Sequence, residues 1–143
     1  MYSEVKPLSR EELIDERCFE IGEIYYINDS LINIPNVDRL KDGSRKIHEG
    51  RMVVIVHHDE QNYNKFCPVV AVAPLSSRVD LKRSFDLILK KDDVDGNLKY
   101  DSIIQLQLIQ PVLKVDLERC IGRLKEYKIE ELIAMQLEMI GIE

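Results

Sequence analysis

Two short, continuous apolar runs constrain the fold of this chain more than any other feature. They are RMVVIVH at residues 51–57 and PVVAVA at residues 68–73, and a polar turn separates them. Apolar runs of this length, without alternation of polar residues, indicate β-strands that are buried on both faces. The chain therefore needs a sheet whose central strands are covered on both sides.

Three further segments have the composition of strands. Residues 21–27 (IGEIYYI) are rich in β-branched and aromatic residues, and residues 85–90 (FDLILK) alternate apolar and polar side chains. Residues 102–113 (SIIQLQLIQPVL) alternate again, and Pro111 should break the strand near its end. Asp95-Gly96, between the last two segments, is typical of a tight hairpin turn.

Helical patterns flank the predicted strands. Ser9 and Glu12 have the spacing of a capping box, which predicts a short surface helix over residues 9–20. A short apolar stripe at residues 117–124 and a longer one at residues 129–140 predict two helices at the other end. One helix, about five strands and then two helices indicate an α+β fold or a small barrel with helical attachments.

Composition and cysteine usage exclude several classes of protein. With 143 residues, 45% of them hydrophobic, the chain suits one globular domain and not a disordered segment. The three cysteines are far apart and form no C-x-x-C pair, so we expect reduced, mostly buried thiols. No segment resembles a signal peptide or reaches the length of a membrane span, which favours a cytoplasmic protein without membrane contact.

The sequence contains no motif that points to a metal or a nucleotide cofactor. Walker, Rossmann, nucleophile-elbow and H-E-x-x-H motifs are all absent. His57-His58-Asp59 lies at a strand end, where adjacent side chains point to opposite faces, so we interpret it as a solvated turn. The acidic residues around Gly96 do not have the spacing of an EF-hand. We expect neither a metal nor a cofactor.

The distribution of charge is uneven along the chain. The formal net charge is −6, yet residues 39–51 carry five basic against two acidic residues, and residues 78–83 carry three against one. These two loops precede the first apolar run and follow the second. If the two strands pair, both loops could border one groove and form a phosphate-binding strip. On charge alone, two ordinary solvated loops would be the better interpretation.

Five segments, taken in their order and spacing, carry a resemblance to a known family. The sequence resembles the MazF/PemK toxins over roughly residues 22–142, in the segments GEIYYIN (22–28), GRMVVIV (50–56), VVAVAPLSS (69–77), DSIIQLQLIQPV (101–112) and LERCIGRLKEYKIEELIAMQLEMIGI (117–142). No single segment is decisive, but five in sequence are fairly specific.

The resemblance implies both a fold and an activity. The fold would be α+β, a small, strongly bent antiparallel β-barrel of the CcdB/PemK type with peripheral helices. Residues 1–20 would form an extra N-terminal helical extension to a toxin domain over residues 21–143. The activity would be that of a metal-independent endoribonuclease, a hydrolase that cuts single-stranded RNA by attack of the 2′-hydroxyl. The family also implies a homodimer and a cognate antitoxin protein as partner.

The resemblance assigns catalytic roles to Arg51 and Ser76. The family has an arginine at the start of its second strand and a small hydroxyl residue after its third. A guanidinium can hold two phosphate oxygens at once, and because it stays protonated in proteins it is a poor general base, which leaves charge stabilisation or proton donation. Ser76 would orient the phosphate. His48, the only imidazole in the basic loop, is a further candidate for moving protons near neutral pH.

The remaining candidates would bind RNA through the two basic loops. They are Arg45, Lys46, His48, Ser77, Arg78, Lys82 and Arg83. The chain also departs from the family. Met52 stands where proline is common, Ser76 where threonine is common, and Gln107, Leu108 and Gln110 replace residues that are often charged or polar.

These departures leave two alternatives open. The first is a catalytically weak or inactive binding module of the same fold that acts through a protein partner. The second is action on a protein target, as the related CcdB toxins act on DNA gyrase. We rank the second last, because the small tail at residues 139–142 lacks the bulky residues that this action requires.

Overall fold

The structure, a computed structural model, describes residues 7–35 and 47–142. In this part of the chain, eight strands form one antiparallel sheet and a single α-helix packs against it. The elements are β1 (Glu23–Asn28), β2 (Gly50–Ile55), β3 (Val69–Ser76), β4 (Asp86–Leu89), β5 (Val94–Gly96), β6 (Ser102–Gln105), β7 (Gln110–Leu113), β8 (Cys120–Leu124) and α1 (Glu126–Met139).

The sheet curls because its longest strand, β3, has two different partners on one side. The strands run in the order β4-β6-β3-β2-β1-β8-β5, and β7 also pairs with β3. The first half of β3 pairs with β7, where Val69 lies opposite Leu113. The end of β3 pairs with β6, where Ser76 lies opposite Ile103. A bend therefore lies within β3. The strands β6 and β4 lie on one side of the bend, and β7, β2 and the strands that follow β2 in the sheet lie on the other.

The two apolar runs form the central strands β2 and β3, which pair with Val53 opposite Pro74. Alternate side chains of β2 enter two hydrophobic cores. Val54 belongs to the core that α1 covers through Leu132, and Val53 belongs to a second core that contains Phe19. Both faces of β2 are therefore buried, as the continuous apolar pattern predicts.

The predicted fold class is confirmed, since the chain forms a curled antiparallel sheet with a C-terminal helix, an α+β fold. The final helix lies close to its predicted position, although it begins at Glu126. Within the described residues, none of the helices combines the length and the apolar character that crossing a bilayer requires.

The N-terminal helix predicted over residues 9–20 is wrong. The capping box does form, because Ser9 N donates to Glu12 Oε1 and Glu12 N donates to Ser9 Oγ, but it starts a single 3₁₀ turn, Glu11–Leu13. Beyond that turn residues 14–20 form neither helix nor strand, and Phe19 N donates to the carbonyl of Asn62. Tertiary contacts draw this segment against the sheet, where Phe19 is fully buried. Its separation from the toxin domain at residue 20 stays a prediction.

The helix predicted at residues 117–124 is also wrong, because most of this segment forms β8. The edge of β1 offers unpaired backbone groups, and β8 pairs with it as well as with β5. Asp95 and Gly96 belong to β5 and do not form a hairpin turn. Gly96 lies opposite Gly122 of β8, and Asn97 N donates to the carbonyl of Ile121.

The long strand predicted over residues 102–113 divides into β6 and β7 at a 3₁₀ turn, Leu106–Leu108. Pro111 does not break it, because Pro111 lies within β7 and is exposed. The prediction of mostly buried thiols is wrong too. All three cysteines are free, but Cys18 and Cys120 are exposed and Cys67 is only half-buried.

Candidate active site

The start of β2 and the end of β3 meet at one edge of the bend. The pairing of the two strands ends at Val53 and Pro74, and beyond it the guanidinium of Arg51 bonds the carbonyl of Leu75, next to Ser76. Arg51 and Ser76 both line an open pocket with a volume of about 340 Å³. The pocket thus brings the loop before β2 together with the loop after β3, and its walls are formed by His48, Gly50, Arg51, Met52, Leu75, Ser76, Ser77, Arg78, Tyr100 and Ser102.

The guanidinium of Arg51 is fixed by two bonds to the protein. Its Nε donates to Oδ1 of Asp29 in an ion pair, and its Nη1 donates to the carbonyl of Leu75 at 2.9 Å. Only 15% of the side chain is exposed. Within the described residues Nη2 makes no hydrogen bond, and Arg51 lines the pocket.

Asp29 is the residue of this site that sequence reasoning missed. It follows β1 directly, in a 3₁₀ turn capped by the side chain of Asn28, which accepts a hydrogen bond from Ser30 N. Its carboxylate is fully buried, and Oδ2 accepts the backbone N–H of His48 at 2.9 Å. One buried carboxylate therefore orients Arg51 and the loop that precedes it. The only signal in the sequence is a polar pair immediately after an apolar strand.

Ser76 and Arg78 are coupled within the loop after β3. Ser76 Oγ accepts the backbone N–H of Arg78 at 3.2 Å. The exposed guanidinium of Arg78 forms a two-bond fork with Asp80, at 3.0 and 2.9 Å. This hydrogen-bonded pair raises the pKa of Arg78 and lowers the pKa of Asp80. Arg78 therefore lies at the pocket wall with its charge partly balanced, while Ser77 lies beside it.

The other predicted RNA-binding residues are only partly gathered at this pocket. Arg83 lines a second pocket that shares Ser76 and Arg78 with the first. Lys82 lines neither pocket, and its Nζ donates to the carbonyl of Arg83. Arg45 and Lys46 lie outside the described residues.

Tyr100 and Ser102, which sequence reasoning also missed, complete the first pocket. Tyr100 is 66% exposed, although it is a large aromatic residue. Ser102 is buried, and its Oγ donates to the carbonyl of Tyr100 at 3.0 Å. An exposed ring beside a cationic group offers a surface on which a nucleic-acid base can stack.

In the described ranges, 7–35 and 47–142, no three His, Cys, Asp or Glu side chains come together as metal ligands would. The turn at His57-His58-Asp59 is exposed, and His57 Nε2 lies 3.0 Å from Oε1 of Gln136. The pocket at Arg51 thus offers a fixed guanidinium, hydroxyl groups and an exposed aromatic ring. Such groups can bind a phosphodiester and stabilise the negative charge that develops on it during reaction.

Comparison with known proteins agrees with this architecture. Residues 22–138 match the family described as the PemK-like, MazF-like toxin of type II toxin-antitoxin systems. Among solved structures, the chain is similar to the Mycobacterium tuberculosis toxin MazF-mt6, with a TM-score of 0.55 and 19% sequence identity over 66% of this chain and 90% of that one. No curated protein sequence matches significantly. The family match covers most of the chain, which therefore belongs to the PemK-like, MazF-like toxins of type II toxin–antitoxin systems.

Proposed function

We propose that this protein is a metal-independent endoribonuclease that cuts single-stranded RNA. The 2′-oxygen attacks the neighbouring phosphorus, so that the O2′–P bond forms while the P–O5′ bond breaks. The 2′-hydroxyl loses its proton, and the departing 5′-oxygen takes one up. The products carry a 2′,3′-cyclic phosphate and a 5′-hydroxyl, and no oxidant or co-reactant is needed. Family membership supports this reaction class.

The observation that carries the proposal is the way Arg51 is held. Asp29 and the Leu75 carbonyl fix the guanidinium, and among the described residues no group bonds Nη2, which would be the amino group that engages a phosphate. Because the donor is oriented before RNA binds, it can stabilise charge on the pentavalent phosphorus without reorganising during the reaction. Asp29 is fully buried and does not line the pocket, so its carboxylate would not meet an incoming phosphate.

The other pocket residues have supporting roles in the proposal. Ser76 lines the same pocket as Arg51 and would hydrogen-bond the phosphate. His48 is exposed at the pocket rim, and its imidazole would carry a proton to or from the reacting oxygens. Its backbone bond to Asp29 ties the position of His48 to that of Arg51.

The proposal is tested with purified protein and a long single-stranded RNA in EDTA. We expect discrete fragments with 5′-hydroxyl and cyclic-phosphate ends. Arg51→Ala should reduce the rate by at least about 100-fold, the usual cost of removing one charge-stabilising donor. Arg10→Ala is the matched control, since it removes the same charge from an exposed arginine that lines a different pocket.

Cutting by the folded Arg51→Ala protein at the wild-type rate would contradict the assignment of Arg51. Intact RNA with folded wild-type protein would contradict the nuclease itself. That result would favour the alternative of an inactive binding module that acts through a protein partner.

We further propose a cognate antitoxin as protein partner, a homodimer in solution and a cytoplasmic location. Membership of a toxin–antitoxin family supports all three. Light scattering coupled to gel filtration tests the dimer, which should have twice the 16.7 kDa mass of the chain. A monomer mass at micromolar concentration would contradict it.

A further inference from the structure

A second pocket adjoins the candidate active site and shares two of its residues. Ser76 and Arg78 line both pockets, so one extended ligand could occupy the two together. The second pocket has a volume of about 160 Å³. Pockets for drug-sized ligands begin at about 300 Å³, so this one suits a single small ring system.

The walls of the second pocket are suited to a flat, partly apolar group. Ile34 and Pro35 form one side, and Leu81 and Leu108 add further apolar surface. Two arginines at the pocket, Arg78 and Arg83, are accompanied by carboxylates. Arg78 pairs with Asp80, and Asp86, which is buried, accepts the backbone N–H of Arg83. This balance of charge fits a neutral ring better than a phosphate.

Gln105 gives the pocket an unused pair of hydrogen-bonding groups. It is the last residue of β6, lies opposite Asp86 of β4, and makes no capping bond with the 3₁₀ turn that follows. Its Oε1 is buried without a hydrogen-bond partner in the described part of the chain, where none of the hydrogen bonds involves its Nε2 either. A buried amide oxygen without a partner is costly unless a ligand supplies a donor.

We infer that this pocket binds one unpaired nucleobase of the RNA, next to the phosphate at Arg51, and that the Gln105 amide selects the base. The inference rests on the proposed function and names a substrate subsite for it. Single-stranded RNA exposes the hydrogen-bonding edges of its bases. A glutamine amide fits adenine with two bonds, because Oε1 accepts from the exocyclic amine while Nε2 donates to a ring nitrogen. We therefore expect adenine in the pocket.

The experiment measures binding separately from cutting. Fluorescence anisotropy with short 2′-O-methyl oligonucleotides, which cannot be cut, compares strands of adenine with strands of uracil. The wild type should bind adenine about 10- to 100-fold more tightly, in line with the discrimination that one bidentate contact provides. Gln105→Met keeps the size of the side chain, removes the amide and should abolish the preference. Gln61→Met, an exposed glutamine at the opposite end of the β2–β3 hairpin, should leave it intact.

A second probe replaces adenine with unsubstituted purine, which lacks the exocyclic amine. The affinity of the wild type should be lower for the purine strand than for the adenine strand, and should fall to the affinity of Gln105→Met. The Gln105→Met variant should bind the adenine and purine strands equally. Equal preference for adenine in Gln105→Met and the wild type would overturn the inference, as would no base preference in the wild type. If Gln105→Met loses the preference for adenine and the wild type cuts RNA in EDTA, both proposals are supported. If Gln105→Met loses the preference but the wild type does not cut RNA, the base-binding pocket is supported and the nuclease is contradicted.

Discussion

The ion pair between Arg51 and Asp29 is the residue-scale feature on which the proposed chemistry depends. Asp29 is fully buried, and its carboxylate engages the guanidinium of Arg51. Buried charge pairs contribute little net stability, but loss of one partner leaves the other uncompensated. The role of Asp29 is therefore one of positioning, since it holds the guanidinium that would touch the phosphate.

We predict that Asp29→Asn lowers kcat by about 100-fold while changing KM less, because a small displacement of a catalytic group has this cost. The measurement is a Michaelis–Menten series on a short RNA substrate. Asp29→Glu keeps the charge and should recover part of kcat, which a merely structural role would not produce. An unchanged kcat in a folded Asp29→Asn protein would remove Asp29 from the mechanism.

We predict that Tyr100→Ala weakens RNA binding about 5- to 150-fold, the range that corresponds to stacking of one base on an aromatic ring. Anisotropy with uncuttable RNA measures the dissociation constant. Tyr100→Phe should retain wild-type affinity because the ring remains. Phe66→Ala is the control, since Phe66 is an equally exposed aromatic residue, at 68%, that lies near the other end of β3. Equal losses in both alanine variants would contradict a stacking role for Tyr100.

At the scale of elements, sequence patterns predicted the strands and the helix whose conformation depends on neighbouring residues. The continuous apolar runs predicted β2 and β3, and the helical stripe at residues 129–140 predicted α1. Both features can be recognised from the spacing of apolar residues within one short segment. The segment at residues 117–124 has a weak helical stripe, but its conformation is decided by pairing with β1 and β5, which are distant in sequence. Such tertiary pairing overrides local propensity.

The close approach of the β5 and β8 backbones at Gly96 leads to a prediction about stability. Gly96 has φ +148°, and a Cβ there would lie 2.3 Å from the carbonyl oxygen of Ile121. Gly96→Ala must push the two backbones apart and should cost about 1–3 kcal/mol or more of unfolding free energy. Urea unfolding followed by circular dichroism measures this cost. Gly141→Ala is the matched control, because φ is also positive there but no atom lies within 4 Å. Equal losses would show that conformation, and not contact, sets the cost.

At the scale of the whole molecule, two buried carboxylates tie distant segments to the sheet. The side chain of Arg17 bonds Asp15 and lowers its pKa against the opposing effect of burial. Arg17 also donates to the carbonyl of Lys114 at 2.7 Å, which anchors the N-terminal segment. At Asp93, burial raises the pKa, but hydrogen bonds from Tyr127 and neighbouring groups outweigh it and lower the pKa overall.

These lowered pKa values predict acid destabilisation. Because the folded pKa lies below the unfolded value of 3.8, the unfolded chain takes up protons first as the pH falls. The stability that Asp15 contributes is complete above that value and is lost as the pH falls through the lower, folded pKa. Asp15→Asn should therefore lose about 1.5–3 kcal/mol at pH 7, and its difference from the wild type should shrink as the pH falls below 3.8. A difference that does not shrink at all below that pH would contradict this account.

Residues of the candidate site could be predicted from the sequence only where a charge pattern or a family motif identified them. Arg51, Ser76 and Arg78 could be found from the two basic loops and the family resemblance, and the structure places all three at one pocket. Asp29 could not be found, because its role depends on burial beneath Arg51, which no local pattern encodes. Tyr100 comes to the pocket through the pairing of β6 with β3, a contact between segments that are distant in sequence.

The change of partner along β3, from β7 to β6, also affects how the candidate site is built across the sheet. Arg51 and Asp29 belong to the part of the sheet on one side of the bend, whereas Gln105 and Asp86 belong to β6 and β4 on the other. The second pocket spans this boundary, since Ile34 and Pro35 come shortly after β1 and its 3₁₀ turn. Arg51 is joined to both sides of the bend, since its guanidinium bonds Asp29, which follows β1, and the carbonyl of Leu75, which pairs with Ile104 of β6. Any movement at the bend would therefore change the second pocket and the position of the guanidinium together.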